Sequence, residues 1–254
     1  MPDKPAEPNA PEPPIRIGGG RFLRRDLYAT VFVLIIATII ASASLGDGAW
    51  GLLGTLILQT VTLWVALLAS DVGPRARRGA LIVGALVIIA VGVAVLTGNL
   101  QPAKIASSAT MLVLVAFTPA VIVRALVRRP VINLTTVVGA ADIYLLFGLF
   151  FATVFKLLGT LASHGQTTAL EAFFYSSRPL TQSDFIYYSY VTLTTVGYGD
   201  VTAANSLGRM LSVTEALIGQ LYLVTVVALL VGNFGRSRPA RTADGSSSLL
   251  APDD

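Results

Sequence analysis

Residues 192–200 read TLTTVGYGD, with two glycines flanking a tyrosine in a chain that is otherwise largely aliphatic. Glycine adopts positive φ without the steric penalty other residues meet. Gly197 and Gly199 therefore mark backbone able to alternate between left- and right-handed conformations. Alternation of this kind aims successive carbonyls the same way. A row of uncharged carbonyl oxygens is what a dehydrated cation needs in place of its hydration shell, so the meaning of the loop depends on whether lipid surrounds it.

Composition answers that. Of 254 residues, 54% are hydrophobic and only 13% charged, and the mean hydropathy is +0.73, values that describe a chain solvated mainly by lipid. Six apolar stretches, at about 27–44, 49–70, 79–96, 105–127, 131–161 and 207–233, are long enough to cross a hydrocarbon core of about 30 Å at roughly 1.5 Å per residue. The expected fold is an all-α membrane protein with six transmembrane helices.

Arginine placement orients them, because Lys and Arg near span ends favour the cytoplasmic side. Lys4, Arg16, Arg21, Arg24 and Arg25 precede the first stretch. Arg75, Arg77 and Arg78 follow the second, Arg124, Arg128 and Arg129 the fourth, and Arg236, Arg238 and Arg241 the sixth, which puts fourteen of the eighteen cations on one face. Both termini are expected in the cytoplasm and the 162–206 loop outside. The isoelectric point near 9.6 follows from these topological markers rather than from a continuous basic stripe, which argues against nucleic-acid binding. The absence of cysteine removes disulfides, thiolate metal sites and a thiol nucleophile. Ala41-Ser42-Ala43 resembles a cleavage site, but the apolar stretch before it is long enough to span, so it is read as retained. The Pro- and Gly-rich ends, 1–25 and 236–254, read as disordered cytoplasmic tails, the latter too short for a ligand-binding domain. Residues 26–129 then form a four-helix transmembrane domain and 130–235 a pore domain.

Within the outer loop, residues 183–195, SDFIYYSYVTLTT, offer Ser183 and Asp184 as N-caps and aromatics at 185, 187, 188 and 190, enough for three helical turns. A short helix followed at once by irregular glycine-rich backbone is a re-entrant loop, tolerated at membrane depth only where protein or water surrounds it. Tyr198 is expected to turn its ring away from the axis and pack among the aromatics of the short helix, whose carboxyl end carries partial negative charge toward the pathway.

The six residues Thr195-Val196-Gly197-Tyr198-Gly199-Asp200 resemble the selectivity filter of the potassium-channel family, and the resemblance extends over about 131–235, most closely to simple bacterial members. It implies a two-helix pore unit with a pore helix and filter between the fifth and sixth spans. It also implies K+ held by the backbone carbonyls of Thr195, Val196, Gly197 and Tyr198, with Gly199 completing the filter. Four chains are implied, because one loop supplies one quarter of a carbonyl cage. The family's site lends filter support to Thr194, Asp200, Tyr187 and Tyr188, the last two standing where many members carry paired tryptophans. Val191 stands where some bacterial members carry a glutamate, so no carboxyl is available there. Gly219, nineteen residues after Asp200, falls at the inner-helix hinge glycine, with close helix packing as the competing role. The implied localisation is the plasma membrane, with the lipid bilayer and three further copies as partners and no cofactor beyond the permeant ion.

The fourth stretch lacks the repeated arginines of a voltage sensor: stepping back by threes from Arg124 meets Val121, Thr118 and Val115. Steep voltage gating is not expected. Ionisable residues within spans are costly in lipid and are candidates for function. Lys156, near the outer end of the fifth span, is read as reaching toward the interface. Asp142 has no basic residue in reach, leaving structural and gating roles open. Glu215 stands about ten residues into the sixth span, roughly 15 Å below its outer end. At about 100° per residue it points roughly 110° away from the mean direction of Gln220, Leu223 and Val227, the expected cavity face. It is expected to look toward the pore helix or a neighbouring subunit and to brace the filter, with Thr192 or Ser189 as partner, or Lys156, which depth disfavours. His164, the single histidine, reads as a solvated loop residue.

No catalytic residue is expected, since no hydrolase or metalloprotease pattern accompanies that histidine. A transporter would show paired broken helices in two related halves, and only one interrupted segment is visible. A nonselective cation channel is the nearer alternative, against which Tyr198 argues.

Overall fold

A computed structural model of the chain describes residues 19–46, 48–70, 73–97, 100–127, 134–162, 173–176 and 180–234. His164 and the outer parts of both tails lie outside these residues. Five long helices come first: α1 (Gly19–Leu45), α2 (Ala49–Ala69), α3 (Pro74–Leu96), α4 (Leu100–Val127) and α5 (Leu134–Ala162). A short helix, α6 (Gln182–Leu193), and a long one, α7 (Ser206–Phe234), follow, with the two-residue strands β1 (Phe174–Tyr175) and β2 (Thr202–Ala203) placed before α6 and before α7.

Among the described residues five helices are long and apolar enough to cross a membrane, over Leu27–Leu45, Ala49–Ala69, Ile105–Arg124, Leu134–Leu161 and Ser206–Leu229. The third expected span corresponds to α3, whose described apolar part is the shorter Gly84–Val93. A second difference lies at the start of the chain. The tail read as disordered to residue 25 is already helical from Gly19, because arginine is a good helix former and a helix does not have to stop where its apolar stretch does.

Hydroxyl residues in these helices satisfy themselves. Thr38, Ser42, Thr55, Thr62, Thr118 and Thr153 each donate to a carbonyl four residues earlier on their own helix at 2.7–2.8 Å. In lipid, where water is absent, this is how a polar side chain is accommodated without disturbing neighbouring helices. The positions stepped back from Arg124 are all buried, Val115 and Thr118 completely, so this face of α4 belongs to the packed interior.

α5 is the hub, packing on α1, α4, α6 and α7. α1 and α4 flank it, α2 packs on α1 and α4, and α3 packs on α2 and α4. The main core runs from Tyr28, Val31 and Ile35 of α1 through Leu56 and Ala66 of α2 and Val115 and Ile122 of α4 to Ile143, Leu146 and Leu149 of α5. Among the described residues α7 packs on α5 and α6 and leaves Leu217, Leu221, Val224, Val227 and Val231 exposed.

Candidate functional site

The short helix is seated before the glycine loop begins. Thr181 is its N-cap, one residue outside the helix, and Asp184 completes a capping box by accepting from the Thr181 N–H at 2.7 Å. Ser183 and Asp184, expected as caps, lie within the first turn instead, because a carboxylate three residues along is placed to satisfy the N-cap donor. An aromatic cluster then bolts the helix to α5: Phe155 meets Tyr188 edge-on at 5.1 Å and Phe174 at 5.8 Å, and Phe174 in turn meets Phe185 at 5.6 Å. Lys156 of α5 donates to the Gln182 side chain at the helix start, so its amine holds α6 rather than simply reaching outward.

At the other end the freed carbonyls of α6 are taken up by the loop. The N–H groups of Thr194, Thr195 and Val196 donate to the carbonyls of Tyr190, Thr192 and Val191 at 2.9–3.0 Å, and the Gly197 N–H shares the Val191 oxygen at 3.2 Å. The hydroxyl of Thr194 adds a 2.6 Å bond to Tyr190. The last carbonyl, of Leu193, receives the Tyr144 hydroxyl at 3.4 Å. Every carbonyl from residue 190 to 193 thus has a donor, which is what a helix end away from water requires.

Beyond it the backbone alternates. Thr195 has φ +60°, Gly197 +57° and Gly199 +82°, while Val196 and Tyr198 between them are not left-handed. The glycines were expected to do this; Thr195 was not. It is the one non-glycine residue at positive φ among those described, and for a β-branched side chain that conformation is a genuine outlier. Its hydroxyl accepts from Gln220 Nε2 on α7 at 3.4 Å, so α7 touches the strained residue directly.

Tyr187 and Tyr188 divide their work. Tyr187 stacks on Tyr198 with ring planes 2° apart and centroids 6.3 Å apart, and its hydroxyl donates to Asp200 at 2.9 Å, tying the helix to both sides of the loop. Tyr188 points the other way, into the aromatic cluster, and its hydroxyl pairs with Ser212 Oγ of α7 at 2.6 Å. Among the described residues Tyr198 packs on the ring of Tyr187 alone and is 71% exposed; the chain supplies only part of the aromatic surroundings expected for it. After the loop, β2 pairs antiparallel with β1, Phe174 opposite Ala203 and Tyr175 opposite Thr202. No alternating pattern announces strands two residues long, and the sequence reading missed them.

Glu215 is completely buried, its Oε1 in contact with Ser189 Oγ on α6. Of the three partners expected, Ser189 is the one it meets, and Lys156 is engaged with Gln182 instead. Gly219 is buried where α7 crosses the end of α6: a Cβ there would come within 2.7 Å of the Leu193 carbonyl oxygen. Asp142 is buried in α5 with neither oxygen hydrogen-bonded inside the chain. No cluster of three His, Cys, Asp or Glu side chains able to hold a metal occurs among the described residues.

Residues 143–235 match a family model described as ion channel. Over this segment the chain is similar to ion channel domains. The segment spans most of α5 and all of α6, the glycine loop and α7, and the match points to a channel protein rather than an enzyme. Together with the five helices long and apolar enough to cross a membrane, this match supports a multi-pass membrane protein. Neither the curated proteins nor the solved structures compared with the chain gave a match.

Proposed function

We propose that the chain is one subunit of a homotetrameric, potassium-selective channel of six spans, with four helices ahead of each pore unit and both termini in the cytoplasm at the plasma membrane. The observation that carries this reading is the alternation of positive φ at Thr195, Gly197 and Gly199 in the sequence TVGYG. Backbone that alternates in hand turns the carbonyls of Thr195, Val196, Gly197 and Tyr198 toward one side, where four such strands form a stack of oxygen cages for dehydrated K+. The loop and the outer face of α7 are exposed within the single chain, from Val196 and Tyr198 to Leu217, Leu221 and Val224. Apolar surface of that extent next to a filter is what three further copies would cover. No cofactor enters: the bound ion is the ligand.

The purified chain, reconstituted in a bilayer under opposed K+ and Na+ gradients, should give a reversal potential close to the K+ equilibrium value. Equal permeability would replace the proposal with a nonselective cation pore.

The same recordings in symmetric K+ should give nearly linear current–voltage curves. α4 offers buried Val115, Thr118 and Val121 where moving charges would have to sit, and each elementary charge moved is worth about 2.3 kcal/mol per 100 mV. A steep sigmoidal open probability would require gating charge from elsewhere in the chain and would overturn this expectation.

A further inference from the structure

A single hydrogen decides how three helices are joined behind the filter. Ser189 of α6 is fully buried, its Oγ lies 2.6 Å from the carbonyl oxygen of Gly148 on α5, and the same Oγ contacts Glu215 Oε1 on α7. A serine hydroxyl carries one hydrogen, and a backbone carbonyl carries none. For the 2.6 Å pair with Gly148 to be a hydrogen bond, Ser189 must donate there. The contact with Glu215 then needs a hydrogen supplied by the carboxyl. The opposite assignment, Ser189 donating to a carboxylate, leaves the serine and carbonyl oxygens facing each other across 2.6 Å with nothing between them.

The surroundings favour the same choice. The titratable groups facing Glu215 are Tyr144 on α5 and Tyr188 and Tyr190 on α6. Lys156, the cation of α5, is engaged with Gln182 instead. Because Glu215 has no exposed surface within its own chain, a neighbouring copy cannot bring a cation to it. Its second oxygen, Oε2, is buried without a hydrogen bond, a far smaller loss for the carbonyl oxygen of a neutral acid than for a carboxylate.

We propose that Glu215 is a neutral carboxylic acid that donates to Ser189, which donates to Gly148, a directed chain tying the inner helix through the pore helix to the outer helix. Glu215 is thereby a positioning residue. It touches no ion, but it fixes the depth and rotation of α6, whose last carbonyls hold the first residues of the filter. The role in conduction rests on the channel reading above; the protonated chain does not.

The full-length protein in lipid tests both parts. An infrared difference spectrum, wild type against Glu215→Gln, should contain the carbonyl band of a protonated carboxyl, and that band should shift in Ser189→Ala, where its acceptor is gone. A difference containing only carboxylate bands would overturn the proposal. In single-channel recordings Glu215→Gln retains an N–H donor and should keep open probability within about two-fold of wild type. Glu215→Leu and Ser189→Ala, which lack the donor or the relay, should shift the open–closed equilibrium on the order of ten-fold. If glutamine is as damaging as leucine, or leucine is harmless, the donated hydrogen does not position the pore helix and the proposal fails. Should Glu215→Leu fail to assemble, the comparison of Ser189→Ala with Glu215→Gln still decides. The spectrum needs no current, so a protonated-carboxyl band without K+ selectivity removes the channel reading alone, and K+-selective current without the band removes the hydrogen-bond chain alone.

Discussion

Replacing Gly197 with alanine should reduce K+ conduction at least 100-fold while four chains still assemble. Gly197 holds φ +57°, and among the described residues beyond its two chain neighbours nothing lies within 4 Å of the position a Cβ would take. The substitution therefore meets no clash inside the subunit, and its cost is conformational, about 1–2 kcal/mol for a left-handed L-residue. Thr195 shows that a Cβ can be held at such a φ, but its N–H is bonded to Thr192 at 2.9 Å and its hydroxyl to Gln220. Gly197 has only the shared 3.2 Å bond to Val191. Alanine there relaxes to negative φ, the peptide plane rotates, and each subunit withdraws one carbonyl from the stack. In the proposed tetramer the effect repeats four times around the axis, so a modest local cost would remove an entire ring of ligands. Bilayer currents together with a native mass measurement check it. Wild-type currents from the alanine form would refute the assignment of the filter, and loss of the four-chain mass would show that Gly197 serves assembly instead.

How far the sequence could be read follows from which features are local. Helix positions were legible because an apolar stretch near twenty residues long has few alternatives: the second stretch, 49–70, became Ala49–Ala69 and the fourth, 105–127, ended with the helix at Val127. The left-handed backbone at Gly197 and Gly199 was legible because glycine at alternate positions reports a backbone requirement rather than a contact. Thr195 escaped notice for the complementary reason. Its left-handed conformation is imposed by bonds from the end of α6 and from Gln220, and a threonine in a sequence gives no sign of strain enforced from outside. The cap at Thr181 and the strands β1 and β2 also depend on partners distant in the chain. Glu215 fell between these cases. Helical periodicity could turn it away from the cavity, but only the crossing of α5, α6 and α7 reveals that Ser189 stands between it and Gly148. Lys156 likewise needed the start of α6 to come within reach of α5 before its role at Gln182 appeared.

Gly219→Ala should destabilise the assembled protein and disturb selectivity together, because the glycine lies where two helices cross at the root of the filter. A Cβ there would stand 2.7 Å from the Leu193 carbonyl oxygen and 2.8 Å from Leu193 Cδ1. The side-chain overlap can be relieved by a rotamer change, but the backbone oxygen cannot move cheaply. It ends α6, accepts from the Tyr144 hydroxyl, and is followed within two residues by strained Thr195. Overpacking of this kind costs about 1–3 kcal/mol, and the displacement it forces is transmitted into the filter through Thr194. Two readings of this glycine diverge here. A hinge whose work is bending α7 should, on substitution, change open probability while thermal midpoint and K+/Na+ permeability ratio stay as in the wild type. A packing glycine should lower the midpoint and the permeability ratio in the same variant. The double variant with Leu193→Ala separates them further: removing the leucine side chain clears the Cδ1 contact but leaves the carbonyl, so only part of the lost stability should return. Full recovery would place the conflict in the side chain alone, and an unchanged midpoint in the single variant would assign Gly219 to the hinge.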